Sequence, residues 1–320
     1  MRHSMLISLA TLVLASPALS QPFPVTLTHA KGEITISEAP QRVLSLGLND
    51  QDFLYALGVA PVAVHEWWGE QPYATWPWAE AARDTVGAEP AVLMGYEVDL
   101  EWIASQNPDL IVATYYELDV ATYELLSQIA PVLATPQGFD DYGAPWQEQL
   151  ELIALATTGT TDKADAIAAD LDARLAALRA KYPQFSGHTA SMADLRDGQF
   201  TLWASQHAPT RFLESLGFSF PGELDEMADD AGWIYLSAEK ADELDRLDVV
   251  VWPNGKQAEI EDISTYANTR LFKEGRSVFP GEGEDALAAA LWFYTPLSIG
   301  YAAEHFAPKL AAALEGRTRR

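Results

Sequence analysis

Cysteine is absent from all 320 residues. That excludes disulfides, thiolate metal sites, a cysteine nucleophile and an N-terminus acylated on cysteine. Positive charge is scarce: 20 Lys and Arg stand against 46 Asp and Glu, a formal net charge of −26. So acidic a surface repels phosphate backbones and anionic headgroups, which excludes a nucleic-acid partner. The six histidines are scattered, with no cluster at metal-ligand spacing. The patterns G-x-S-x-G, H-E-x-x-H and the P-loop do not occur, so the common hydrolase, metalloprotease and nucleotide signatures are missing. Carboxylates are numerous enough that a glycosidase-like pair stays open as a rival reading. No apolar run reaches the roughly 20 residues that span a bilayer.

What the chain does have begins with an export pattern. Arg2 and His3 precede the apolar stretch Met5 to Ala15, and small residues close it at Ala18-Leu19-Ser20. This predicts a signal peptide over 1–20, cut about Ser20, and a soluble periplasmic product that is not a lipoprotein. Aromatics are the surplus, with 10 Trp, 12 Tyr and 12 Phe, more than core packing alone usually needs.

The mature chain alternates short apolar runs with helical patterns. Leu44 to Leu48, Val62-Ala63-Val64, Asp109 to Thr114 and Val132-Leu133-Ala134 read as buried strands. Asp50 starts a helix that Gly58 ends, and Asn107-Pro108 stops another that carries Trp102. The expected class is α/β with mainly parallel sheets. From Asp162 to Tyr182 there is no Gly or Pro, and Ile167, Leu171, Leu175 and Leu178 recur at helical spacing. This predicts a rod about 30 Å long. On either side the motifs echo each other. Phe53 to Val59 (FLYALGV) matches Phe212 to Phe218 (FLESLGF), and the step from Leu100-Glu101 to Asp109 matches that from Ser237-Ala238-Glu239 to Asp248. The expected organisation is an N-terminal α/β lobe over 21–159, a spanning helix over 160–183 and a C-terminal α/β lobe over 184–320, with a ligand cleft between the lobes.

Arg42-Val43-Leu44-Ser45-Leu46, Leu57 to Val62 (LGVAPV), Leu100-Glu101-Trp102-Ile103 with Pro108 to Ile111, and Leu126 to Pro131 (LSQIAP) together carry a resemblance. The chain resembles the class III periplasmic solute-binding proteins, the ferric-siderophore and cobalamin group that serves ABC importers. It is most similar to the iron-siderophore type. The resemblance covers essentially the whole mature chain. It implies two α/β lobes bridged by one long helix, a monomeric binding protein rather than an enzyme, and delivery of ligand to an inner-membrane permease, with an outer-membrane receptor upstream. It also implies that Glu101 and Glu239, one per lobe, dock onto arginines of the permease. An acid in a helix's first turn is otherwise ordinary, because the helix dipole favours it there.

Ligands of open α/β sheets sit beyond the carboxyl ends of the strands. In the first lobe that rule selects His65, Trp67, Trp68, Tyr96, Tyr115, Tyr116 and Tyr142. In the second it selects Arg196, Trp203, Trp233, Tyr235, Trp252 and Trp292. Aromatic faces of this kind bury the organic shell of a bulky guest while phenol and indole groups bond its oxygens. A ferric siderophore is such a guest. Its iron is held by its own oxygens, so no resident cofactor and no protein metal ligand is expected. Arg196 would offer fixed charge to an anionic chelate. The alternative is haem, cobalamin or a bare metal ion, with His65 and His207 as the candidate ligands. Trp102 and Trp146, both on helices, are expected in the core.

Overall fold

A computed structural model describes residues 22–95, 97–281 and 283–317. The leader expected over 1–20 and the candidate Tyr96 lie outside the described residues. The described chain opens with an antiparallel hairpin of β1 (Val25–His29) and β2 (Gly32–Ile36).

The first sheet contains β3 (Val43–Ser45), β4 (Ala63–Glu66), β5 (Ala91–Met94), β6 (Leu110–Ala113) and β7 (Val132–Ala134). Their spatial order is β5-β4-β3-β6-β7 and every pairing is parallel. β3, β4, β6 and β7 are buried at every residue, as strands covered on both faces must be. Helix Asp50–Ala56 follows β3 and is closed by Gly58, whose φ of 76° favours a residue without Cβ. Asp99 caps helix Leu100–Ser105 by accepting from the Trp102 N–H. Chain order reverses between β3 and β6, so their carboxyl ends diverge and leave a crevice.

The second sheet contains β8 (Ala190–Arg196), β9 (Gln199–Trp203), β10 (Trp233–Ser237), β11 (Val249–Val251) and β12 (Ser277–Val278), in the order β10-β9-β8-β11-β12. β8, β11 and β12 are parallel, whereas β9 runs antiparallel to both its neighbours. The two sheets are mainly parallel, as expected, and this one is mixed because β9 runs against its neighbours. Asp197 and Gly198, at φ 50° and 75°, turn β8 straight back into β9. Two central residues of positive φ make the tight turn that suits the twist of a hairpin. β11 ends at Val251 beside Met192. Ala193–Arg196 therefore run past the parallel sheet, paired only with β9.

The predicted rod is the 20-residue helix Asp162–Lys181. Leu171 and Leu175 are buried on its inner face, with Ile167 and Leu178 half-buried beside them. It packs on helix Trp146–Thr158 and on the last helix, Pro296–Leu314. That last helix also touches Asp50–Ala56 and helix Pro77–Val86 of the first lobe, so two long helices connect the halves. One continuous core cluster runs from Phe53 and Leu150 through Leu171 and Leu175 to Phe212 and Phe306. Trp146 belongs to it, as expected, whereas Trp102 is half-buried at the edge of the first lobe's outer cluster rather than in the core. Among the described residues no helix is long and apolar enough to cross a membrane.

Candidate functional site

The carboxyl ends of the two sheets face a cleft of about 400 Å³. Leu48, Trp67, Trp68, Tyr115 and Tyr142 line it from the first lobe, and Arg196, Asn254 and Trp292 from the second. Leu48 and Tyr115 follow β3 and β6, at the switch point, and the Leu48 N–H donates to the Tyr115 carbonyl at 3.0 Å. Beneath them Asp50 holds the two loops together. One carboxylate oxygen accepts from the Thr114 N–H at 2.8 Å and the other from its hydroxyl at 2.5 Å. Burial raises the Asp50 carboxyl to about 6, against the lowering effect of these donors.

Trp67 and Trp68 come from the loop after β4. The Trp67 indole N–H donates to the Leu48 carbonyl at 3.0 Å, and its ring stacks on Phe293, with centroids 5.9 Å apart. Trp68 packs on Trp76 at 5.2 Å, and Trp76 lies parallel to Trp78 at 5.4 Å. Glu66 fixes the turn by accepting from the Trp68 N–H at 2.9 Å, and burial raises its carboxyl. Tyr115 and Tyr142 meet edge to face at 5.0 Å, and the Tyr142 hydroxyl accepts from the Glu117 N–H at 3.1 Å. Burial pushes the Tyr115 phenol up to about 12, so near neutral pH it remains a hydrogen-bond donor.

On the second lobe, Arg196 lies near the tip of the β8–β9 hairpin. Its Nε is 3.3 Å from the Asp194 carboxylate, and its guanidinium sits 5.3 Å from the Trp233 ring and 5.7 Å from that of Trp203. Trp292 packs on Trp203 at 5.1 Å. Trp292 belongs to helix Asp285–Phe293 rather than to the loop expected before the last helix.

Of the thirteen ligand-contact candidates, six therefore meet in the cleft: Trp67, Trp68, Tyr115, Tyr142, Arg196 and Trp292. The others described here lie elsewhere. His65 is fully buried with both ring nitrogens on backbone carbonyls, Nδ1 on Leu46 at 2.9 Å and Nε2 on Gly95. Tyr116 packs against its ring at 5.8 Å, inside the first lobe. Trp203 is buried beneath Trp292 and Trp233, and Trp233 backs Arg196 rather than lining the opening. Trp252 follows β11 but points into the second lobe's core, between Phe200, Tyr266 and Phe279. Tyr235 is 56% exposed on the edge strand β10, away from the cleft. The His207 Nε2 is 2.9 Å from the Ala231 carbonyl and its ring packs on Trp233, while burial lowers its pKa. Among the described residues no three His, Asp or Glu side chains gather as a metal site.

Leu48 and Asn254 were not singled out from the sequence, although both sit just past strand ends. The strand-end rule covers them, but a search limited to aromatic and charged residues passes them by. Glu101 and Glu239 are exposed, in the first turns of helix Leu100–Ser105 and of the 3-10 helix Ala238–Arg246. Each follows a strand, β5 or β10, that runs toward the cleft-facing edge of its sheet.

Two α/β lobes, joined by long helices and opposed across an aromatic cleft, describe a two-lobed binding protein. The sequence profile of the periplasmic binding protein family matches residues 43–276, and the chain belongs to that family. A periplasmic solute-binding protein of Mycobacterium smegmatis is 33% identical, with a TM-score of 0.80 over 91% of this chain and 99% of that one. The ferrichrome complex of PiaA from Streptococcus pneumoniae has the same fold at 24% identity, with a TM-score of 0.79 over 91% and 99% of the two chains. The probable siderophore-binding lipoprotein YfiY of Bacillus subtilis is 29% identical over 198 residues, 61% of this chain and 57% of that protein. The chain matches less than two thirds of the length of its curated relatives.

Proposed function

We propose that this protein is the exported, monomeric substrate-binding component of an ABC importer. It captures a ferric siderophore between its lobes and delivers it to an inner-membrane permease. The observation that carries the reading is the cleft itself, in which Trp67, Trp68 and Tyr115 of one lobe face Arg196 and Trp292 of the other. Flat aromatic faces and a protonated phenol suit a guest with an organic shell and an oxygen-rich iron centre. The engaged nitrogens of His65 favour this guest over a haem or a bare metal ion, which would need a protein ligand. The role is binding rather than catalysis. Cleavage about Ser20 would release the chain into the periplasm, downstream of an outer-membrane receptor. Glu101 and Glu239 would each meet a basic surface of one permease subunit.

Intrinsic tryptophan fluorescence tests the assignment, because Trp67, Trp68 and Trp292 line the cleft. The mature protein is titrated with a panel of ferric siderophores, and with haemin, cobalamin and Zn²⁺ as comparators. Saturable quenching at about micromolar concentration or below by a siderophore is the expected result. Saturation by haemin, cobalamin or Zn²⁺ alone would displace the siderophore reading.

A further inference from the structure

The charge inside the cleft points to one kind of iron chelate, an inference that rests on the siderophore reading above. We propose that the preferred ligand is an uncharged ferric tris-hydroxamate rather than an anionic tris-catecholate. Three singly charged hydroxamates cancel the ferric charge, whereas three doubly charged catecholates leave a triply anionic complex.

Among the described residues that line the cleft, Arg196 carries the single formal charge, and that charge is already answered. Its Nε lies 3.3 Å from Asp194, a largely buried carboxylate that also accepts from the Leu195 N–H at 3.0 Å and the Asn254 amide at 3.4 Å. The next cation, Arg211, donates to the Gln206 carbonyl and interacts with Glu214 on its own helix. On the first lobe, buried Glu66 is the nearest acid behind Trp68. The net charge facing a guest is therefore close to zero, within a protein of net charge −26. A triply anionic complex would be repelled on approach and then stripped of water against one neutralised cation. An uncharged complex meets neither cost. Its carbon backbone lies on the indoles, and its oxygens take hydrogen bonds from Tyr115 and the Arg196 edge.

Ferrichrome as the uncharged probe and ferric enterobactin as the triply anionic probe are titrated onto the wild type and Asp194→Asn, at low and high salt. Asparagine keeps the size and an acceptor oxygen of Asp194 while freeing the charge of Arg196. The expected wild-type result is ferrichrome binding at least about tenfold tighter than ferric enterobactin. Its affinity should change less than about twofold between roughly 0.05 and 0.5 M NaCl. Asp194→Asn should move the preference about tenfold toward ferric enterobactin, most strongly at low salt. Tighter wild-type binding of ferric enterobactin overturns the proposal, as does an unchanged ratio in a folded Asp194→Asn. If that variant does not fold, the wild-type ratio decides. Binding of neither probe, with haemin or cobalamin bound instead, removes the siderophore reading itself.

Discussion

At the scale of single residues, burial separates the side chains that face a guest from those that hold the lobes together. Trp67→Ala and Tyr115→Ala each remove an aromatic face from the cleft and should weaken ligand binding at least about tenfold. Tyr235→Ala, on an exposed edge strand, should leave it unchanged; calorimetric titration of the three variants separates the classes. The sequence rule that ligand groups follow strand ends locates Trp67, Trp68, Tyr115, Tyr142, Arg196 and Trp292 without coordinates. It places Trp252 and His65 wrongly, because position along a strand does not say which face a side chain takes. Trp252 turns inward to Tyr266, and His65 is caught between two carbonyls.

Asp52 is a residue the sequence gives no reason to single out, yet it joins the lobes. Its carboxylate accepts from the Trp78 indole at 2.7 Å and from the Thr295 hydroxyl at 2.7 Å, while the Asn49 amide donates to the Phe293 carbonyl at 2.7 Å. Burial raises both Asp50 and Asp52 from 3.8 to about 6. Between about pH 4 and pH 6 the folded protein keeps protons that the unfolded chain has released. The contribution of these groups to stability is therefore fullest below about pH 4 and falls as pH rises through that window, by on the order of a few kcal/mol for each. The melting temperature of Asp52→Asn, followed from about pH 5 to pH 7.5, should show a flatter decline than that of the wild type. Equal slopes would mean that Asp52 stays ionised in the folded state.

Among the elements, the helix Asp162–Lys181 is the most legible in the sequence, since its apolar repeat and the absence of Gly and Pro specify it alone. The parallel strands β3, β4, β6 and β7 were also readable, as short apolar runs between helical patterns. The β8–β9 hairpin was not. Its signal, Asp197-Gly198 between two apolar runs, is of the strongest kind for a tight turn, and reading it would have revealed that β9 runs antiparallel to β8. The hairpin β1–β2 and the helix Pro77–Val86 were likewise not anticipated, whereas the helix Trp146–Thr158 was expected only through its first residue, Trp146. The rod's inner face sits in the core shared by both lobes, so Leu171→Ala should cost about 2–5 kcal/mol. Chemical unfolding measures it, and a loss below about 1 kcal/mol would place the rod on the surface instead.

For the molecule as a whole, the shared core and the last helix limit how far the lobes can part. Pro296–Leu314 begins at Thr295, whose side chain both caps that helix and bonds Asp52 across the lobes. Ligand capture should therefore close the cleft only slightly, by adjustment of side chains and loops rather than a wide hinge rotation. The two exposed acids, Glu101 and Glu239, belong to this scale because the proposed docking engages both lobes at once. Glu101→Gln with Glu239→Gln should abolish or sharply reduce uptake in cells while purified protein binds ligand with unchanged affinity. Normal uptake by the double variant would show that the permease is docked elsewhere. The family resemblance implied the pairing of Glu101 and Glu239, and the two-lobed fold sets both acids beyond the carboxyl edge of their sheets.

A crystal structure of the mature protein with ferrichrome would show directly where an iron chelate sits. The iron complex should lie between the two sheets, its carbon backbone against Trp67, Trp68 and Trp292 and an iron-bound oxygen within hydrogen-bond distance of the Tyr115 hydroxyl. A complex bound outside this cleft, or iron ligated directly by a protein side chain, would contradict that expectation.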